Sequence, residues 1–206
     1  MLVDDHAVVR AGYKRFIELD KEIRVVAEAS TGEEAYQLLV QLDTDIVILD
    51  LMMPGQGGFE ALRRITNRYP KQKILIFSMH ENASIARQAL MIGAAGYLTK
   101  SMNPEKIVKA IHIASSGGTP IEENIALSLV PLSENRFSHN ELLPREFEVF
   151  LLLASGKTVH EISQKLNMST RTVFNYQTTI RKKMKLHTEM EFYRYAISQN
   201  LIFSNS

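Results

Sequence analysis

The 206-residue chain is 45% hydrophobic and 23% charged, which suits two modest domains of a globular protein. It has no cysteine, which excludes disulfides and thiolate metal sites. No apolar run approaches bilayer-spanning length and no signal-peptide pattern precedes Asp4 and Asp5, so a cytoplasmic protein without a membrane partner is expected.

The first half alternates strand and helix signals. Met1 to Val3 is an apolar scrap ending at Asp4-Asp5, and Ala7 to Leu19 has helical spacing. Ile23 to Ala27 reads as a strand, and Ser30-Thr31-Gly32-Glu33 as the start of a helix reaching about Leu42. Ile46 to Leu49 is a short buried strand followed by Asp50, then by a loop composition from Pro54 to Gly58. Helical spacing returns from Phe59 to Tyr69, a strand from Ile74 to Phe77 ends at Ser78, and a helix from Ser84 to Ile92 stops at Gly93. A last strand, Gly96 to Leu98, ends at Thr99-Lys100, and Asn103-Pro104 opens a helix that closes at Gly117-Gly118. Five such repeats call for a parallel sheet wrapped by helices. The first strand is shorter than the usual ~5–6 residues, which leads to the expectation of a few residues before Met1.

From residue 116 to about 140 periodicity is lost, with a weak apolar patch from Ile121 to Val130, and a linker with one helical turn is expected. From Pro144 onward every signal is helical. Thr158 to Glu161 has capping-box form, Ser169 caps a longer helix through Met184, and Thr188 to Ser198 supplies a fourth. A short helix, a tight turn and a capped longer helix read as helix-turn-helix. The charge is asymmetric too. Residues 1–120 carry 14 acidic and 14 basic side chains, whereas residues 138–206 carry 9 basic against 6 acidic. Between Glu161 and Glu189 there is no acid but Lys165, Arg171, Arg181, Lys182, Lys183 and Lys185, which suggests a polyanion partner.

Open α/β sheets place ligands beyond the carboxyl ends of their strands, where Asp4-Asp5, Asp50, Ser78 and Lys100 fall. Alone, Asp50 is as readily a turn cap as a reactive group. Together, three carboxylates facing one cation, Lys100, call for a hard divalent ion, and oxygen ligands suit Mg²⁺. An aspartate beside such an ion and a lysine can attack a phosphoryl group, with Ser78 donating a hydroxyl to a phosphate oxygen.

Asp4-Asp5, the run Ile48-Leu49-Asp50-Leu51-Met52-Met53-Pro54, Ser78 and Gly96-Tyr97-Leu98-Thr99-Lys100 resemble the receiver domain of two-component response regulators. The resemblance implies a flavodoxin-like (βα)5 fold with strand order 2-1-3-4-5 and phosphorylation of Asp50 by a histidine kinase. It further implies Mg²⁺ held by Asp5, Asp50 and the Met52 backbone carbonyl, Asp4 acting through water, and Tyr97 following the phosphorylation state together with Ser78.

Leu142 to Ile202 is similar to the DNA-binding domain of the NarL/LuxR class, through Pro144-Arg145-Glu146, Ala154-x-Gly156-Lys157, Glu161-Ile162, Thr172-Val173, Arg181-Lys182-Lys183 and Arg194-Tyr195-Ala196. That class places its third helix in the major groove and dimerises through its fourth, and its unphosphorylated receiver masks the third helix. Candidate DNA contacts are Lys165, Arg171, Phe174, Asn175, Thr178, Arg181 and Lys182, while Val173, Ile180 and Met184 face inward. Two departures stand out. Leu143 occupies a position that class gives to a Ser or Thr cap, and Phe174 is apolar where its relatives are polar.

The expected organisation is a receiver at 1–117, a linker at 118–140 and an all-α helix-turn-helix domain at 141–206. The expected function is a phosphorylation-switched, DNA-binding homodimer, which is not a turnover enzyme. A regulator that binds DNA without phosphorylation is the alternative. A dehalogenase-like phosphohydrolase needs a second Asp where Met52 stands, and an FMN module needs a phosphate loop where Asp4-Asp5 stand.

Overall fold

The computed structural model describes residues 1–53, 57–129 and 139–202. The expected loop residues Pro54 and Gly55, and the linker residues from Val130 to Ser138, lie outside them. The chain divides into two compact units, Met1–Glu81 with Ala89–Leu127, and Asn82–Gln88 with Ser128–Ser206.

The first unit is built on a five-stranded parallel sheet in the order β2-β1-β3-β4-β5, with β1 Leu2–Val3, β2 Glu28–Ala29, β3 Ile46–Leu49, β4 Lys73–Ser78 and β5 Gly96–Thr99. Every residue of β3 and β5 is buried, as a sheet covered on both faces requires. Helices α1 (Ala7–Ile17), α2 (Gly32–Gln41), α3 (Gly57–Arg68), α4 (Ala83–Ile92) and α5 (Pro104–Ser115) follow the strands in turn. On one face Ile46, Ile48, Leu75, Phe77 and Leu98 form a core with Ile17 of α1 and with Ile107, Ala110, Ile111 and Ala114 of α5. The alternate residues Val47, Leu49, Ile74 and Ile76 are buried on the other face, and Leu39 of α2 and Leu62 and Ile65 of α3 are buried as well.

Two stretches differ from the sequence reading. The strand expected at Ile23–Ala27 is displaced, and β2 is Glu28–Ala29. The earlier stretch has strand-like alternation, with Ile23 and Val25 packed against the core and Arg24 and Val26 exposed. It lacks a ladder because β1 offers only Leu2 and Val3 for pairing, and these meet Glu28 and Ala29. The stretch expected to be a linker with one helical turn contains a longer helix, α6, Glu123–Leu129. Just before it the chain runs along the outer edge of β5, where the Tyr97 N–H donates to Pro120 O (2.9 Å) and the Glu122 N–H to Tyr97 O (3.3 Å). An edge strand otherwise leaves these groups unpaired. Gly96 permits the approach, since a Cβ there would collide with the Pro120 carbonyl.

The second unit contains α7 (Pro144–Ala154), α8 (Val159–Lys165), α9 (Thr170–Met184) and α10 (Glu189–Ser198). Its core joins Phe147 and Phe150 of α7, Ile162 of α8, Val173 and Ile180 of α9, and Phe192 and Ala196 of α10. Phe150 and Phe192 meet edge-on at 5.7 Å, a favoured aromatic geometry. Asn167, with φ 50°, turns the chain between α8 and α9. Asn tolerates that left-handed conformation better than most residues. Glu146 is buried, and its carboxylate takes the Leu143 N–H (2.8 Å) and the Lys183 ammonium (2.6 Å), which ties α9 to the start of α7.

Leu143 therefore supplies only one half of a capping box, because its side chain cannot accept the Glu146 N–H. It is exposed, so Leu143→Thr sacrifices little packing. That substitution should complete the box and stabilise the second unit by about 1 kcal/mol. Thermal denaturation of the two proteins measures it, and an unchanged or lower midpoint contradicts this account of the cap.

Candidate functional site

Strand register assembles the site. Asp50 follows β3, and its N–H donates to Val3 O (2.9 Å), which sets it beside Asp4, the first residue after β1. Lys100 follows β5, and its N–H donates to Ser78 O (2.8 Å) at the end of β4. Gly58 opens α3 against the exit of β3, where a Cβ would strike the backbone of Asp50 and Leu51.

The Lys100 ammonium sits between two carboxylates, 2.7 Å from Asp4 Oδ2 and 2.6 Å from Asp50 Oδ2. All three side chains are nearly inaccessible. Burial disfavours the lysine charge, but its hydrogen bonds to Asp4 and Asp50 and their attraction outweigh it, and its pKa is raised. Asp50 Oδ1 accepts the Met52 N–H (2.9 Å), and Asp4 Oδ1 accepts the His6 N–H (2.8 Å). Asp5 Oδ1 is buried without a hydrogen-bond partner, although His6 Nδ1 approaches it to 3.0 Å. Potential ligand atoms of Asp4, Asp5, His6 and Asp50 lie within 4.8 Å of one another.

Three carboxylates converge here on one ammonium, with ligand atoms of Asp4, Asp5 and Asp50 close together. This donor set fits a hard divalent metal. Met52, two residues beyond Asp50, has an exposed side chain.

Ser78 and Tyr97 are brought together through His80. The Tyr97 hydroxyl donates to His80 O (2.9 Å), and the His80 N–H donates to Ser78 Oγ (3.2 Å). Tyr97 is fully buried, which raises its pKa, a shift eased by Ser78. His80 itself was not apparent from the sequence. It is buried, its Nε2 lies 3.0 Å from Met52 Sδ, and burial lowers its pKa against the pull of Asp50. Its spacing from Ser78 carries no pattern signal. The contact between Glu122 and Thr99 was equally hidden, since Glu122 stands in the stretch read as linker.

In the second unit Arg171, Phe174, Asn175, Thr178 and Lys182 are all exposed along one side of α9. Val173, Gln177, Ile180 and Met184 are buried on the other. Lys165 on α8 and Arg181 stand apart from the outer stripe. Lys165 is half-buried, which lowers its pKa, with Lys157 adding to the shift. Arg181 is also half-buried, and its Nε is covered without a partner.

A parallel five-stranded sheet with an Asp–Lys–Asp cluster at its carboxyl rim, joined to a helix-turn-helix unit, defines a two-module regulator. Residues 1–112 match the response regulator receiver domain, and residues 140–196 match the bacterial regulatory proteins of the luxR family. The chain belongs to the response regulators of the NarL/FixJ family. Response regulator UvrY of Escherichia coli strain K12 is 36% identical over 205 residues, covering 98% of this chain and 94% of that protein. The nitrate/nitrite response regulator protein NarL of the same strain is 36% identical over 196 residues, covering 93% and 91%. Among solved structures, RcsB of Salmonella typhimurium superimposes with a TM-score of 0.78 at 27% identity, covering 96% of each chain. No helix among the described residues is long and apolar enough to cross a membrane.

Removing the lysine should expose the electrostatic imbalance. Lys100→Met leaves buried carboxylates uncompensated and should cost about 3–5 kcal/mol in EDTA. Millimolar Mg²⁺ should restore part of that loss. Urea denaturation under both conditions measures it, and equal stability of variant and parent in EDTA contradicts the picture.

Proposed function

We propose that this response regulator is switched by transfer of a phosphoryl group from a histidine kinase to Asp50, and that the switched form binds promoter DNA as a homodimer. The observation that carries the reading is the Lys100 ammonium shared between Asp4 and Asp50, with the Asp5 carboxylate close beside them. In the transfer an Asp50 oxygen attacks phosphorus, the bond from phosphorus to the kinase imidazole breaks, and the imidazole leaves. Lys100 offsets the negative charge that gathers on the phosphoryl oxygens. Asp5, Asp50 and the Met52 carbonyl would hold Mg²⁺, with Asp4 acting through water. The ion supplies further charge neutralisation at the phosphoryl group. Ser78 offers its hydroxyl to a phosphoryl oxygen, and Tyr97 responds with it through their shared neighbour His80. The product is a modified side chain, so no turnover of an external substrate is involved.

The proposed modules are a receiver at 1–117, a linker at 118–140 and a DNA-binding domain at 141–206. Phosphorylation unmasks α9, which enters the major groove with Arg171, Phe174, Asn175 and Thr178 towards the bases. Lys165, Arg181 and Lys182 serve the phosphate backbone, and α10 joins the two copies. Support comes from the exposed basic stripe on α9 and from the relatives. One solved RcsB structure is described as bound to promoter rprA in the presence of the phosphomimetic BeF3-, with a TM-score of 0.78 at 26% identity.

With Mg²⁺ and acetyl phosphate, the full chain should gain one acid-stable, hydroxylamine-labile phosphate. EDTA and Asp50→Asn should each abolish it. Undiminished labelling of Asp50→Asn in intact-mass spectra overturns the assignment. For the second module, affinity of the phosphorylated protein for duplex DNA should fall steeply with salt, because each neutralised phosphate releases counterions. Lys182→Ala should weaken binding to all sequences alike and reduce the slope of log affinity against log salt by about one. A flat salt response excludes backbone contact by this helix.

A further inference from the structure

Phe174 is the apolar exception on the outer stripe of α9, and the structure removes its simplest explanation. The ring is not part of the core, since Phe174 remains 55% exposed while Val173 and Ile180 are fully buried. Its neighbours divide the available chemistry. The Thr178 hydroxyl donates to Phe174 O (2.9 Å) and the Thr179 hydroxyl to Asn175 O (3.0 Å), so both are already held by their own helix. Arg171 and Asn175 are exposed beside the ring with groups able to pair with base edges. Phe174 lies in the second turn of α9, which is capped by Ser169 through the Thr172 N–H (3.1 Å). When such a helix docks in the major groove, its N-terminal turns come nearest the bases.

A phenyl ring in that place cannot pair with N7 or O6 of guanine, N7 or N6 of adenine, or N4 of cytosine, and covering any of these would strip it of water without replacement. Thymine alone presents an apolar group in the major groove, its C5 methyl. We propose that Phe174 is a specificity-determining residue that selects thymine at one position of each half-site through contact with that methyl. The inference rests on the reading of α9 as the major-groove helix. It adds a readout that the hydrogen-bonding residues of the stripe do not supply.

The test uses the full chain phosphorylated with acetyl phosphate. Binding sites are first selected from random duplexes by the parent, by Phe174→Ala and by Phe174→Leu. The parent and Phe174→Leu should share a thymine that Phe174→Ala no longer requires, while the other preferred positions persist in all three. The parent's selected duplex is then compared with the same duplex carrying deoxyuridine for that thymine, which deletes only the methyl. The parent should lose roughly 3- to 10-fold in affinity, and Phe174→Ala should bind both duplexes equally. Identical base preferences in parent and Phe174→Ala overturn the inference, as does a deoxyuridine penalty of the same size in both. In either case the major-groove reading survives if the other preferred positions persist. Failure of the parent to enrich any sequence overturns the major-groove reading itself and takes the inference with it.

Discussion

Lys100 stands between Asp4 and Asp50 in a pocket that nearly excludes water, and much of the first unit serves to hold it there. One ammonium cannot balance three carboxylates, so the arrangement carries a residual negative charge that folding alone does not remove. Such clusters cost stability unless a cation or further hydrogen bonds compensate them. Their retention at a strand rim is the mark of a site for chemistry rather than of a structural ion pair.

The cluster depends on the sheet, because its members come from three strands. Val3 pairs with Leu49, and Ser78 with Thr99. The residues that leave these strands therefore reach the rim side by side. A slip of one residue in either ladder would turn the following side chains to the opposite face. The apolar residues of β3, β4 and β5 oppose that slip, since both faces are buried and either shift disrupts packing. Beyond β5, the Pro120–Glu122 segment pairs with Tyr97, and Glu122 engages Thr99, the residue before Lys100. The start of the connection towards the second unit is thus bonded to the strand that delivers the lysine.

The second unit solves a different problem with α9. One side of this helix must hold a core, and the other must remain polar and available. Val173, Ile180 and Met184 meet the first demand. The Lys183–Glu146 pair fixes the last turns of α9 to the start of α7. Arg145 performs a similar service by bonding Glu148 and the Leu166 carbonyl at the end of α8. Polar tethers at the edges of the core leave the stripe from Arg171 to Lys182 free of structural duties, apart from the threonine hydroxyls that bond back to the helix.

The sequence by itself determined the alternation of elements, the two-part organisation and the identity of Asp4, Asp5, Asp50, Ser78 and Lys100 as strand-end residues. These are local properties: apolar runs, helical periodicity and caps such as Thr158 and Ser169 depend on neighbours a few residues away. It also placed the inward stripe of α9 correctly, because a helix repeats its face every turn. Only the tertiary structure decided where pairing occurs, as the displacement of β2 to Glu28–Ala29 illustrates. Strand character at Ile23–Ala27 is local, but a ladder needs a partner, and β1 is too short to provide one along that stretch. The same holds for His80, which joins Ser78 to Tyr97, and for Glu122, which closes the edge of β5. His80 meets Tyr97 17 residues away, and Glu122 meets it 25 residues away, and no periodicity links residues at such separations.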